Sequence, residues 1–421
     1  MRKRKSRTIM KVLLLGLNFA PEPVGIGVYS GDLARWLAQR GHRVRVITAP
    51  PYFPQWRARG NRYRRERLAG VEVWRCPLWV PRRPSGLTRL LHLASFALSS
   101  LPVLLGQARW RPDVVLTVAP AFFCAPGGLL LAALCGRGTA SWLHIQDFEL
   151  DAAFELGLLK GRLLRRLAEG WERGTLRGFD RVSTISGAML RHAIAKGVAP
   201  ERALLLPNWV DLETIQAQAE SQRATNPYRR ELGIGPEQRV LLYSGSMNRK
   251  QGLELLVEAI GRLADLGDLV WLLAGEGPSR AELEAATAGM AQVRLLPLQP
   301  AERLNDWLNL ADLHLLPQKA GAADLVLPSK LLGILASGRP LVASSPASSE
   351  LGRIAEQAGL RVEPEDGAAF AAAVRRLVLD PGLRRQRGRA ARQLVEQRYG
   401  REAVLEQLER ELQVVLTERK P

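Results

Sequence analysis

A chain of 421 residues is too long for one ordinary hydrophobic core, so two domains of roughly 200 residues each are expected. Hydrophobic residues at 47% and charged residues at 24% sit near the globular average, which excludes general disorder and an integral membrane protein. The net charge of +19 calls for an anionic partner or surface, and it is concentrated: residues 1–110 carry 21 lysines and arginines against four acids.

Residues 1–9 read as a disordered basic leader, because no apolar segment or cleavage site of a secretory signal follows them. Short apolar runs at 12–17, 43–49, 71–77, 114–119, 141–145, 182–185 and 203–206 alternate with helical patterns, the signature of a parallel sheet covered by helices. They define an N-terminal Rossmann-like domain over 10–212. A polar stretch, 213–227, reads as a linker.

A second series of strands at 239–244, 270–274, 293–296, 313–317, 340–343 and 360–362 gives a C-terminal Rossmann-like domain over 228–395. Amphipathic helix runs over 383–419 with a break at Tyr399 and Gly400, so that 396–421 is expected to pack back toward the N-terminal domain. The fold class is therefore α/β, two doubly wound domains facing an interdomain cleft lined by loops at the carboxyl ends of their strands. Cys76, Cys124 and Cys135 form no CxxC pair and read as reduced core thiols, and five scattered histidines show no metal-ligand spacing, so no metal is expected. No apolar run reaches about 20 residues without a charge or proline; the nearest, 93–105, contains Pro102.

Several loops between a strand and a helix have the composition of anion sites. After the first strand, Gly25 and Gly27 precede a helix starting near Val28, where backbone amides and the helix dipole favour a phosphate; the alternative is plain turn chemistry. In the second half, Gly245, Ser246, Arg249 and Lys250 follow a strand, and two cations at a helix start oppose its dipole, which a bound diphosphate would account for; the alternative is a solvated loop with two exposed cations. Gly275, Glu276 and Gly277 form a tight loop, or only a turn. Asp324 stands in a run that continues into Pro328, Ser329 and Lys330, with donors at a helix start. In the first half, His144, Asp147 and Glu149 gather where an apolar strand ends, a placement suited to contact with a reacting sugar; the alternative is a satisfied structural histidine.

Together the runs 47–56 (ITAPPYFPQW), 144–149 (HIQDFE), 207–209 (PNW) and 321–324 (GAAD) resemble glycosyltransferase family 4 of the GT-B fold, and within it the subgroup assigned to colanic-acid-type exopolysaccharide synthesis, often as a fucosyltransferase. The resemblance covers 10–419. It implies retaining transfer from a nucleotide-diphosphate sugar with no cofactor and no required metal, the nucleotide on the C-terminal domain and the acceptor entering from the N-terminal one. It implies that Gly25 and Gly27 approach the diphosphate and donor sugar, that His144 contacts that sugar, with Asp147 beside it, and that Lys250 with Arg249 neutralises the leaving diphosphate. By the same resemblance Glu276 and Gly277 line the nucleotide site, and Ser329 and Lys330 contact phosphate or ribose. Two positions depart from the pattern. Ser246 stands where the family carries arginine, and the E-x7-E pair is replaced by Leu325 and Gly333, with Asp324 the nearest acid.

Ten arginines between Arg57 and Arg89, interleaved with Tyr63, Trp74 and Trp79 and followed by the Leu-rich stretch 87–105, suit anionic lipid headgroups. The expected partners are thus a nucleotide sugar, a lipid-linked glycan acceptor and an anionic membrane surface, with the protein cytoplasmic and peripheral. No nucleic-acid module is present in the pattern. A nucleotide-sugar epimerase of the same fold and a catalytically degenerate scaffold are the rival readings.

Overall fold

The computed structural model describes residues 8–22, 25–53, 55–82, 86–120, 122–155, 161–320, 328 and 330–419. Most of the expected leader, together with Asp324 and Ser329, therefore lies outside the described residues. The chain divides into two compact units, one of residues 1–208 with the stretch from Leu405 onward, the other running from Trp209 to Val404.

Unit 1 is built on β1 (Lys11–Gly16), β2 (Arg43–Thr48), β3 (Arg64–Leu68), β4 (Val71–Arg75), β5 (Val114–Ala119), β6 (Ala140–Ile145), β7 (Arg181–Thr184) and β8 (Ala203–Leu205). Its helices are α1 (Ile26–Gln39), α2 (Gly86–Gly106), α3 (Ala125–Cys135), α4 (Glu149–Glu155), α5 (Arg162–Gly178) and α6 (Gly187–Ala195). Strand order is β3-β4-β2-β1-β5-β6-β7-β8, parallel except for the β3–β4 hairpin. β5 and β6 are buried along their whole length, as strands covered by helices on both faces must be, and this accounts for unbroken apolar sequences such as VVLTVA. The edge strand β3, RRERL, is the element that sequence patterning leaves out: a charged run carries no period-2 apolar signal, and its pairing with β4 alone makes it a strand.

Unit 2 continues with β9 (Arg239–Ser244), β10 (Leu269–Ala274), β11 (Val293–Leu296), β12 (Leu313–Leu316), β13 (Leu341–Ser344) and β14 (Gly359–Val362). The helices are α7 (Pro227–Glu231), α8 (Glu254–Arg262), α9 (Arg280–Ala286), α10 (Leu304–Leu310), α11 (Lys330–Ala336), α12 (Glu350–Ala358), α13 (Gly367–Leu379), α14 (Pro381–Arg398) and α15 (Arg401–Arg419). Its all-parallel sheet runs β11-β10-β9-β12-β13-β14, with Leu241 opposite Leu313 across the central pair. One apolar cluster, including Tyr243, Leu256, Trp271, Leu315 and Phe370, fills one side of that sheet. The polar stretch before α7 is no free linker: the Gln216 and Gln218 amides donate to the Asn305 and Asn309 side chains at 2.9 and 3.0 Å, which fastens 209–226 to unit 2.

In each sheet the strand order reverses at one place, between β1 and β5 in unit 1 and between β9 and β12 in unit 2. The loops leaving β1 and β9 sit at these reversals, where open parallel sheets bind ligands. From Leu405 onward α15 belongs to unit 1, burying Leu405, Leu408, Leu412 and Val415 on one face at helical spacing. Glu409 on that helix pairs with Arg40 at 2.7 Å and with His42 at 2.9 Å. α2 is one helix of 21 residues through Pro102, long and apolar enough to cross a membrane, yet Leu93, Phe96 and Leu104 on its inner side complete the core.

Candidate functional site

In unit 2 the loop after β9 folds directly against the loop after β10. The Gly245 amide donates to the Ala274 carbonyl at 2.9 Å and the Met247 amide to the Glu276 carbonyl at 2.8 Å, while the Ser279 amide reaches the Met247 carbonyl at 3.0 Å. A β-carbon at Gly275 would overlap the Gly245 carbonyl, and one at Gly277, whose φ is +149°, would overlap that of Met247. Only glycine serves at these two positions. Tyr243 donates its hydroxyl to the Ser246 carbonyl at 2.6 Å and holds the turn from beneath.

Asn248 caps the short 3-10 turn Arg249–Gln251, accepting from the Lys250 amide at 3.1 Å, and the Lys319 amide after β12 donates to the Lys250 carbonyl at 3.1 Å. Arg249 and Lys250 themselves are exposed on this turn. Lys330, the first residue of α11, reaches into the same place. Its ammonium lies 4.0 Å over the Tyr243 ring and 3.4 Å from Gln251 Oε1, and a β-carbon at Gly245 would stand 3.3 Å from it. Burial pulls its ionisation down to about 7. The result is a small-residue turn with one enclosed cation and two exposed ones, an arrangement able to hold a diphosphate. Glu276 is turned outward toward Arg280, 3.6 Å away, and Arg280 donates to the carbonyls of Leu296, at 3.0 Å, and Gly275.

Unit 1 presents the loop leaving β1. Gly25, with φ +70°, caps α1 at its N-terminus, and Gly27 packs so closely that a β-carbon there would stand 2.9 Å from the Glu22 carboxylate. That carboxylate is buried and fully used. It accepts from the Tyr52 and Phe53 amides at 3.1 Å each and from Asn18 at 2.9 Å. Arg75, equally buried, donates to the Ala49 carbonyl at 3.0 Å and the Ala20 carbonyl at 2.5 Å and pairs with Glu66 at 2.8 Å. Glu22 and Arg75 thereby lock the glycine loop onto the 49–53 segment.

His144 lies near the end of β6, inside the expected strand, and is 4% exposed. It is engaged as a structural histidine would be: its Nδ1 is 2.8 Å from Ser183 Oγ, which accepts from Trp142 Nε1 at 2.8 Å. Burial lowers its ionisation to about 4, so the ring is neutral. Asp147, half-buried, stands three residues further on and helps to raise Glu149. The Glu149 carboxyl, accepting from the Phe122 amide at 3.0 Å, is pushed up to about 8, chiefly by burial. Asp151 is taken up by His192 at 2.6 Å and Lys196 at 2.8 Å.

The structure thus brings Gly245, Ser246, Gly275, Gly277 and Lys330 together, with Arg249 and Lys250 on the same loop, and Gly25 with Gly27 separately in unit 1. Sequence reading missed Tyr243, Gln251, Glu22 and Arg75 and named Glu149 without its perturbation, because nothing in a sequence marks a carboxylate as desolvated.

The Glycosyl transferase 4-like domain matches residues 24–209 and the Glycosyl transferases group 1 domain residues 238–380. The chain is 44% identical over 410 residues, 94% of its length and 98% of its relative's, to WcaI of Escherichia coli (strain K12), a protein named for glycosyl transfer in colanic acid biosynthesis. Sucrose-phosphate synthase from Thermosynechococcus elongatus superimposes with a TM-score of 0.71 at 17% identity, covering 97% of this chain and all of that one. HepE from Anabaena, solved in complex with UDP and glucose, gives 0.67 at 15% identity, covering 96% of this chain and 100% of that one. Two matched domains, one on each Rossmann-like unit, and a relative aligned almost end to end place the chain in glycosyltransferase family 4, with the GT-B fold.

Proposed function

We propose that this glycosyltransferase moves a sugar, with retention at its anomeric carbon, from a nucleotide-diphosphate donor to a lipid-linked glycan in cell-surface polysaccharide synthesis. The observation that carries the reading is the β9 turn, in which Gly245 makes room for the Lys330 ammonium beside the exposed Arg249 and Lys250. When the bond from the anomeric carbon to the diphosphate breaks, the electron pair stays on the diphosphate. Three cations around one turn stabilise that charge where it develops.

The small loops after β9 and β10 leave backbone amides to meet phosphate oxygens, with the nucleotide along unit 2. The family resemblance would give unit 1 the donor-sugar contacts of Gly25, Gly27 and His144, the last as a neutral hydrogen-bonding ring rather than a cation. Transfer is expected to proceed without a metal ion or other cofactor. The likeness to WcaI over nearly its full length supports an exopolysaccharide product of the colanic acid class. Such an acceptor places the protein at the cytoplasmic face of a membrane, bound peripherally.

The test is incubation with a panel of nucleotide sugars and polyprenyl-diphosphate-linked acceptors. Transfer is expected, with Lys250→Ala and Lys330→Ala lowering kcat by about 10²–10³-fold, the range for loss of one group that stabilises developing charge. Unchanged turnover in both variants would remove the diphosphate role, and isomerised donor formed without acceptor would identify an epimerase.

A further inference from the structure

The arginine-rich segment 57–89 points to a membrane by composition and exposes Tyr63 and Trp79, but the structure groups exposed leucines elsewhere. Right-handed crossovers through β4-β5-β6-β7 all run in one direction across the sheet, so α2, α3 and α5 lie side by side on the same face of unit 1. α2 packs on α3 through Leu101 and Leu104 against Gly127, and α3 meets α5 where the Phe122 ring stands edge-on to Trp171 at 5.1 Å.

All three helices turn leucines outward. Leu91 and Leu98 project from α2, Leu130 and Leu134 from α3, and Leu163 and Leu167 from α5; Leu98, Leu134, Leu163 and Leu167 are each at least 60% exposed. On α5 the stripe Leu163, Leu167, Trp171 repeats every four residues, while Leu176 and Glu172, the latter held by Lys196, are buried on the other side. Trp171 is shared with the Phe122 contact, and Leu163 and Leu167 form an apolar ridge turned to the outside. Scattered exposed leucines are ordinary, but three neighbouring helices presenting them on one face are not.

The rim of this face selects the occupant. Exposed Arg137 after α3 and Arg166, Arg173 and Arg177 on α5 flank the leucines, and on α5 the acids are Glu169, paired with Arg165 at 2.8 Å, and the buried Glu172. A protein partner of ordinary composition does not explain leucines flanked by arginines without a free acid; an anionic bilayer does, with leucines entering the acyl boundary, Trp171 at headgroup level and guanidinium groups on phosphates. We infer that the α2–α3–α5 face of unit 1 is an insertion surface for anionic phospholipid. The inference rests on the membrane-bound reading given above and assigns it to a surface.

The test is flotation of the full-length protein with vesicles of phosphatidylglycerol and phosphatidylethanolamine, and with phosphatidylcholine alone. Wild type is expected to float with the anionic vesicles, and the double variant Leu134→Glu/Leu167→Glu to lose about tenfold or more of its bound fraction. The surface control Leu298→Glu in unit 2 is expected to bind as wild type. Unchanged thermal unfolding would show that the double variant still folds. Full flotation of the double variant would overturn this assignment and leave a membrane-bound enzyme intact. No flotation of wild type at low salt would overturn both, and equal binding to phosphatidylcholine would overturn the role given to the arginines.

Discussion

Lys330 sits against the Gly245 turn with its ammonium over the Tyr243 ring, where burial lowers its ionisation to about 7 from the ordinary 10.5. A bound diphosphate favours the charged form, so above neutral pH the site must take up a proton as it fills. Calorimetry of nucleotide-diphosphate binding at pH 8 in buffers of different ionisation enthalpy should show uptake approaching one proton, and affinity should fall as pH rises past 7. Lys330→Met should abolish the uptake, and uptake persisting in that variant would assign the proton elsewhere. Glu149 behaves in the opposite sense. Its carboxyl titrates near 8 in the folded chain and near 4.5 when unfolded, so the folded state holds the extra proton and stability declines as pH climbs from about 4.5 to 8. Glu149→Gln should flatten that decline, raising the melting temperature at pH 8 by a few degrees relative to wild type.

At the scale of elements, the two glycine loops depend on contacts made over long sequence distances. Gly277→Ala would drive a β-carbon into the Met247 carbonyl and separate the β9 and β10 loops, so a measured loss of nucleotide affinity of about tenfold or more is expected together with a lower melting temperature. Leu408, buried on the inner face of α15, belongs to the unit 1 core, and Leu408→Ala should cost about 2–5 kcal/mol of stability in denaturant titrations. Most of this architecture is legible in the sequence, because parallel strands buried on both faces write themselves as apolar runs such as VVLTVA and LVWLLA. What is not legible is side-chain environment. The arginines counted toward a surface charge include Arg75, buried against the Ala20 and Ala49 carbonyls, and Arg45, stacked between Trp74 and Trp110 while pairing with Glu72. The hydrogen bond from His144 to Ser183 is likewise invisible in the sequence, and Lys330 reads as one of several helix-start donors until Gly245 brings the turn to its ammonium.

Across the whole molecule, the two units present one recurrent device: a sheet whose order reverses beside a glycine loop, with Arg249 and Lys250 on the β9 turn of the C-terminal unit and Lys330 at the start of α11. On the proposed reading these side chains meet the charge that a leaving diphosphate develops, and transfer is expected to be unaffected by a chelator such as EDTA. The central claim is sugar transfer from a nucleotide diphosphate, and its most direct measurement is product formation by wild type and Lys330→Ala across a panel of nucleotide sugars with a polyprenyl-diphosphate-linked acceptor. The account predicts one donor that yields an extended lipid-linked glycan, free nucleotide diphosphate in equal amount, and a rate at least about a hundredfold lower in the variant. Release of no nucleotide diphosphate from any donor in the presence of acceptor, or equal rates in the two proteins, would contradict it.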